Sequence, residues 1–339
     1  MKAVQEKKKS RTPDYGKKEN RAKTIFVRLF RNKIAIFAAV VLILMLLCAV
    51  FAPFISPYKY DMMDLASKNQ GPSLQHLFGT DDLGRDILSR IMYGGRYSLT
   101  ISLIAVLCAI VIGMIIGAIA GYFGGAVDNI LMRILDVFQA IPDMILTIAI
   151  SAALGSGFDK TVMALAISRI PNFCRILRAN VLKVRNQEYV EASEAIGCSR
   201  FRTIRKYIVP NSWTPLIVAG TMQIASVILS LASLSYIGLG IQQPLPEWGA
   251  MLSAARGYIR DYPYQLIFPG CAIALCVLCL NLLGDGLRDA LDTLRGVGGI
   301  SSVTFSAADV VRHGLVAKIV RAYEQKYHRE EKKKDENDA

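Results

Sequence analysis

Apolar residues in this chain are gathered into long runs and do not simply recur at every third or fourth position. About 20 residues at ~1.5 Å each cross the hydrocarbon core of a bilayer. The pattern therefore predicts an all-α integral membrane protein with six transmembrane helices, and a soluble all-α protein with very apolar core helices is the less favoured alternative. The six runs cover 34–52, 99–120, 130–154, 161–180, 214–237 and 265–284.

Polar segments divide the chain into four predicted parts. The parts are a basic N-terminal arm over 1–33, a first span with a long loop over 34–98, a core of further spans over 99–285 that contains segment 188–211, and a tail over 286–339. The tail contains a helical pattern near 306–327 and ends in a charged stretch typical of disorder.

Two features inside the predicted spans suggest contacts within the bundle. Gly113, Gly117 and Gly121 recur every four residues, which places them on one helix face where another helix can approach closely. Charged residues at Asp136, Asp143 and Arg169 are costly in lipid. Ion pairing inside the bundle, exposure at the membrane interface and proton-coupled transport all remain open for them.

The charge distribution predicts how the chain is oriented. The formal net charge is +13, and Lys and Arg concentrate in the N-terminal arm, in segment 188–211 and in the tail. Cytoplasmic segments of membrane proteins carry such an excess. Both termini and segment 188–211 are therefore expected on the cytoplasmic side, and this placement argues against a nucleic-acid partner.

Motifs for catalysis or metal binding are weak in this sequence. The stretch GSGFDKT at 155–161 resembles a phosphate-binding loop, but Asp159 stands where such a loop needs glycine. DDLGRD at 81–86 groups three carboxylates without the spacing of a calcium loop. Most of the seven cysteines lie inside apolar runs, where a small buried side chain is the simplest interpretation. We therefore expect no catalytic residues, no metal and no cofactor.

Segment 188–211, EYVEASEAIGCSRFRTIRKYIVPN, is a polar stretch between two long apolar runs, and we call it the hook. Helical patterns lie on both sides of Gly197, and Pro210 is expected to end the second one. Glycine can adopt the left-handed conformation that turns one helix into another. The hook is therefore predicted to be two short helices with a glycine corner, lying along the membrane. An ordinary interfacial loop helix is an equally good interpretation of the pattern alone.

A family resemblance favours a more specific role for the hook. The run EASEAIG, followed by nine residues and YIVP, resembles the EAA motif of ABC importer permeases, E-A-A-x-x-x-G, nine residues and I-x-L-P. Ser193, Tyr207 and Val209 depart from that pattern. HLFGTDDLGRDILSRIMYGGRYSL resembles the C-type subunit of dipeptide and oligopeptide permeases, and the resemblance extends over about 25–294. The matching motif residues are Glu191, Ala192, Gly197 and Pro210.

The resemblance implies a type I ABC importer permease fold with a cytoplasmic coupling helix, in a prokaryotic cell membrane. It implies that this chain does not itself hydrolyse ATP. The implied partners are a second related permease, two cytoplasmic ATPases and an extracytoplasmic substrate-binding protein. The implied cargo is a di- or oligopeptide, with nickel or glutathione as alternatives, and the substrate path is not identified. An ion-coupled secondary transporter or a membrane-bound enzyme is a weaker interpretation, because inverted repeats and a histidine cluster are not evident. The implied ATPase-coupling residues are Glu191, Ala192, Ser193, Ala195, Gly197 and Pro210.

Overall fold

The computed structural model describes residues 32–292. Nearly all of the basic arm predicted over 1–33, and the helix predicted near 306–327, lie outside these residues. The described part is helical, and we number its α-helices in chain order. They are α1 Lys33–Val50, α2 Ala52–Ile55, α3 Ile87–Phe123, α4 Gly125–Gln139, α5 Asp143–Leu154, α6 Phe158–Arg185, α7 Glu188–Ala195, α8 Arg200–Thr203, α9 Val209–Ser212, α10 Thr214–Tyr236, α11 Trp248–Ala255 and α12 Tyr264–Asp292.

Four helices within residues 32–292 are long and apolar enough to cross a membrane, namely α1, α3, α10 and α12. The α4–α5 pair makes a fifth if the two helices form one span. Helix α6 contains the apolar run predicted over 161–180 and is long enough to cross, but it also carries several arginines and is not one of the four. Its crossing of the bilayer remains a prediction.

The third predicted span, 130–154, is not one continuous helix. Helices α4 and α5 meet at an angle of 86°, and the break lies between Gln139 and Asp143. Pro142 explains the break, because proline cannot donate the helical hydrogen bond and pushes the residue before it away from the helical conformation. The run predicted as the third span is therefore built from two helices joined at a bend.

Helix α3 begins much earlier than the sequence pattern predicts. The loop expected over 53–98 ends at Asp86, whose carboxylate accepts a 2.7 Å hydrogen bond from the Ser89 backbone N–H and so caps the helix. Its first turns, ILSRIMYGGRYS, contain too many polar residues to be distinguished from loop by hydropathy. The helix runs on to Phe123.

The glycine face of α3 packs against α6, which confirms the close approach expected from its spacing. A Cβ atom added to Gly117 would lie 2.6 Å from the Cys174 carbonyl oxygen. One added to Gly121 would lie 2.8 Å from the Val181 Cβ, and Gly113 is similarly crowded. Because glycine has no side chain, these three positions allow α3 and α6 to pack closely at the centre of the bundle.

Candidate functional site

The hook contains two helical arms and a glycine corner, as the sequence predicts. Helix α7 ends at Ala195, and Gly197 takes φ +80°, the left-handed region that favours glycine. The second arm begins with α8 and continues through a π-helical turn, Ile204–Ile208, into α9. The structure thus places a short bent element between α6 and α10.

Pro210 does not end the second arm, contrary to the sequence prediction. It lies in the first turn of α9, and the helix continues to Ser212. The π-helical turn accounts for this, because the Val209 N–H donates to the Ile204 carbonyl five residues earlier. Proline is tolerated in the first turn of a helix, where its missing N–H has no intrahelical partner to lose.

The interior of the hook joins its two arms. Val190 and Thr203 are fully buried, and Ser193 between them is also buried. The Ser193 hydroxyl donates to the Val190 carbonyl oxygen at 2.8 Å and lies 3.4 Å from the Thr203 hydroxyl. Ser193 therefore faces the second arm, whereas the other residues predicted to couple lie on the exposed surface: Glu191, Ala192, Ala195, Gly197 and Pro210.

An apolar ridge stands on the outside of the hook beside the glycine corner. Ile196 is 78% exposed and Phe201 is 73% exposed, one on each side of Gly197. Large apolar side chains exposed together in this way mark contact surfaces. We call Ile196 and Phe201 the ridge.

One contact between the hook and the bundle was missed by sequence reasoning. The hydroxyl of Tyr122, at the end of α3, donates a 2.7 Å hydrogen bond to the Glu194 carboxylate. Tyr122 is buried, whereas Glu194 is on the surface. A single tyrosine at a helix end gives no periodic signal, so only the fold reveals this connection.

Three arginines of α6 pair with three aspartates of α4 and α5, and we call this set the ladder. The sequence singled out only half of its members, because pairing between helices cannot be read from spacing. At its inner end, Arg169 donates to the Asp143 carboxylate at 2.7 Å and to the Ser230 hydroxyl at 2.9 Å, which ties α6 to both α5 and α10. The ladder pairs are Arg169–Asp143, Arg175–Asp136 and Arg178–Asp128.

Two long polar segments, 56–86 before α3 and 237–263 between α10 and α12, lie at the opposite end of the bundle from the hook and pack against each other, and we call them the outer loops. An Arg85 guanidinium nitrogen donates to the Gln243 side-chain oxygen at 3.2 Å, and the Trp248 indole N–H donates to the Ile91 carbonyl oxygen at 2.9 Å. Glu247 is buried here and accepts a 3.0 Å hydrogen bond from the Ser98 hydroxyl. Burial raises the pKa of the Glu247 carboxyl above its usual range.

Two of the three carboxylates of DDLGRD, Asp81 and Asp86, accept internal hydrogen bonds. Asp81 accepts from the Arg85 guanidinium at 2.7 Å, and Asp86 accepts from the Ser89 hydroxyl at 2.7 Å and contacts His76. Within residues 32–292 no group of three or more His, Cys, Asp or Glu side chains could hold a metal ion. The cluster therefore stabilises the loop that precedes α3.

Several long apolar helices, a bent hook between two of them and charge pairs between neighbouring helices together define a polytopic α-helical membrane protein. The profile described as binding-protein-dependent transport system inner membrane component matches residues 109–295, and that of the N-terminal TM domain of oligopeptide transport permease C matches residues 21–72. The chain belongs to the first of these families, as a permease subunit of an ABC importer of the dipeptide and oligopeptide group.

Named relatives agree with this family over most of their length. The chain is 43% identical to the dipeptide transport system permease protein DppC of Alkalihalophilus pseudofirmus over 267 residues, or 79% of this chain and 88% of the relative. It is 46% identical to the glutathione transport system permease protein GsiD of Escherichia coli O157:H7 over 269 residues, or 79% of this chain and 89% of the relative.

Solved structures support the same fold. A chain of the MetNI methionine ABC transporter, in an inward-facing crystal form, aligns with a TM-score of 0.50 and 17% identity. The alignment covers 60% of this chain and 97% of that chain. A permease of this family is the membrane subunit of a machine whose ATP hydrolysis takes place in separate ATPase subunits, and it works with a partner permease and a substrate-binding protein.

Proposed function

We propose that this chain forms, with a second related permease, the membrane path of an importer for di- or oligopeptides, and that the hook docks on a cytoplasmic ATPase. The observation that carries this proposal is the shape of the hook, a bent helical element whose ridge is exposed beside a glycine corner. An ATPase surface of matching apolar character would bury that ridge. Two ATPases would serve the two permeases.

The hook is connected to the helices that it would move. Helix α10 begins at Thr214, directly after the second arm, and the Tyr122–Glu194 hydrogen bond connects the first arm to α3. Closure of the ATPases on ATP would therefore displace both α10 and α3. The bundle would then alternate between an inward-open and an outward-open form, and the nucleotide bound to the ATPases would determine which form is more stable.

Orientation is the second part of the proposal. The basic residues of the hook support a cytoplasmic position for it, which places both termini on the same side. The packed outer loops then face outward, where they would receive a peptide-loaded binding protein. The host membrane would be a prokaryotic cell membrane, as in the bacteria that carry the relatives.

Cargo is proposed at the level of short peptides. One relative is named for dipeptide and another, at similar identity, for glutathione, which is itself a short peptide with free carboxylates. Glutathione is therefore the second candidate. Uptake of radiolabelled dialanine or glutathione by proteoliposomes containing the assembled importer distinguishes the two.

Docking is tested by a cross-link from Ala195→Cys, because Ala195 lies on the exposed surface beside the ridge. In a cysteine-free background, a single cysteine in the groove of the ATPase should cross-link to position 195 with a yield that changes between nucleotide-free and ATP-bound states. The measurement is the fraction of cross-linked product on a denaturing gel.

Position 193 supplies the matched control for this experiment. Ser193 is buried within the hook, so Ser193→Cys should give little cross-link under the same conditions. Absence of a product from Ala195→Cys in every nucleotide state, with an importer that still takes up peptide, would contradict docking through this surface.

A further inference from the structure

The ladder runs along one face of the bundle from the hook end into its interior. Arg178 lies about 10 Å along the α6 axis from Arg185, and Arg169 lies about 24 Å from it, at ~1.5 Å per residue. Arg185 ends the helix just before the hook. With α6 crossing the bilayer as the sequence predicts, Arg169 reaches well into a hydrocarbon core of roughly 30 Å, and the ladder extends from the side of the hook toward the middle of the membrane.

Several ladder side chains are partly exposed, and their charge limits which surroundings they can have. The Asp143 side chain is 52% exposed, and the side chains of Arg175 and Asp136 are each 47% exposed. Charged groups in contact with lipid tails are costly, so this face must look toward water or protein. An open groove of about 450 Å³ borders the hook-side part of the ladder and ends short of Arg169 and Asp143; it is lined by Asn129, Met132, Arg133, Asp136, Arg175 and Arg178.

Arg169, at the inner end, retains unused hydrogen-bonding capacity. The residue is only 6% exposed, and its Nε–H has no acceptor among the described residues although its other two nitrogens are bonded. A guanidinium offers five donors in a planar fork that matches a carboxylate. Asp143 beside it is half exposed and can accept a further donor. A cation and an anion thus stand side by side at the break between α4 and α5.

We propose that the groove along α4 and α6 lines the hook-side half of the peptide path, and that Arg169 and Asp143 bind the two charged termini of a peptide. This inference rests on the proposed function. The peptide carboxylate takes the Arg169 fork, and the peptide ammonium takes the Asp143 carboxylate. The two ends of the peptide replace the contact between Arg169 and Asp143. Because a zwitterionic peptide has no net charge, the net charge of the site does not change when it binds.

The test measures whether this face is wet and whether peptide covers it. Ala140 is exposed at the break, so Ala140→Cys in an otherwise cysteine-free importer should react with a membrane-impermeant sulfonated thiosulfonate reagent. The control keeps only native Cys108, which is exposed on α3 between the exposed apolar residues Leu107 and Val111. Cys108 should remain nearly unreactive, because it faces lipid.

Peptide is then added directly to the purified importer without its binding protein, so that selectivity of the binding protein plays no part. Dialanine at millimolar concentration should slow the labelling of Ala140→Cys at least threefold. N-acetyl-dialanine amide, which lacks both charges, should leave the labelling rate unchanged. Adding Arg169→Gln should abolish protection by dialanine, and Arg169→Lys should restore part of it.

Three outcomes overturn the proposal. Position 140 could be as unreactive as Cys108 in every nucleotide state, the blocked peptide could protect as well as dialanine, or Arg169→Gln could leave protection intact. If Arg169→Gln prevents assembly, the proposal is still tested by the Ala140→Cys variant alone, through the comparison of protection by dialanine with protection by the blocked peptide. ATP-driven uptake by the Ala140→Cys importer tests the proposed function separately, so a working importer without charge-dependent protection removes this inference alone.

Discussion

At the scale of single residues, Gly197 is the position where backbone conformation alone determines the shape of the hook. Its φ is +80°, and a Cβ added there would meet no atom within 4 Å. A side chain at this position therefore meets no steric obstacle, and its only cost is the left-handed backbone. For residues with a Cβ this cost is roughly 1–2 kcal/mol, and β-branched residues tolerate it least.

Gly197→Val is therefore expected to distort the corner and to lower peptide uptake per ATP by about tenfold, since ~1.4 kcal/mol corresponds to a factor of ten. Uptake and ATP hydrolysis are measured together in proteoliposomes. Gly197→Asn is the matched control, because asparagine adopts the left-handed conformation more readily, and it should retain most of the coupling. Normal coupling in the valine variant would show that the corner conformation is not needed.

At the scale of elements, α3 and α6 make a close helix contact through three glycines of α3. The Cys174 carbonyl oxygen is a backbone atom and cannot move aside alone, so the space at Gly117 is fixed. Ladder residues lie on the same helix α6, close to this contact. The glycine face thus holds in place the helix that carries the arginines.

Gly117→Leu should separate α3 from α6 and destabilise the permease by roughly 1–3 kcal/mol, the usual cost of overpacking. The expected readout is a lower Tm of the purified importer in detergent. Cys108→Leu places the same side chain at an exposed position of the same helix and should leave the Tm unchanged. Equal Tm values for the two variants would mean that α3 and α6 do not pack as described.

Elements that depend on local pattern could be predicted, and those that depend on long-range pairing could not. The span over 214–237, the glycine face and the hinge at Gly197 follow from hydropathy, spacing and the conformational freedom of glycine. The break at Pro142 was obscured because the run 130–154 is apolar on both sides of the proline. Within the candidate site, the burial of Ser193 depends on contact with the second arm, and no sequence pattern reports that contact.

At the scale of the whole molecule, contacts connect the hook to the ladder through shared helices. The hook meets α3 at Tyr122, α3 packs on α6 through its glycines, and α6 holds α5 and α10 through Arg169. Helix α10 returns to the hook through its own N-terminus. A displacement of the hook can therefore reach Arg169 through α3, through α10, or directly along α6, whose C-terminal end leads into the hook.

Tyr122→Phe tests the first route, because it removes one hydroxyl and leaves the packing of the ring. The lost hydrogen bond is worth about 1 kcal/mol, so uptake per ATP should fall about fivefold while ATPase binding stays unchanged and the Tm falls by only about 2–4 °C. Glu194→Gln keeps an acceptor for the hydroxyl and should retain more coupling than Glu194→Ala. If the Tyr122 hydroxyl acts through Glu194, the double variant Tyr122→Phe with Glu194→Ala will be no worse than Glu194→Ala alone. Additive losses would instead assign the two residues independent roles and contradict transmission through this hydrogen bond.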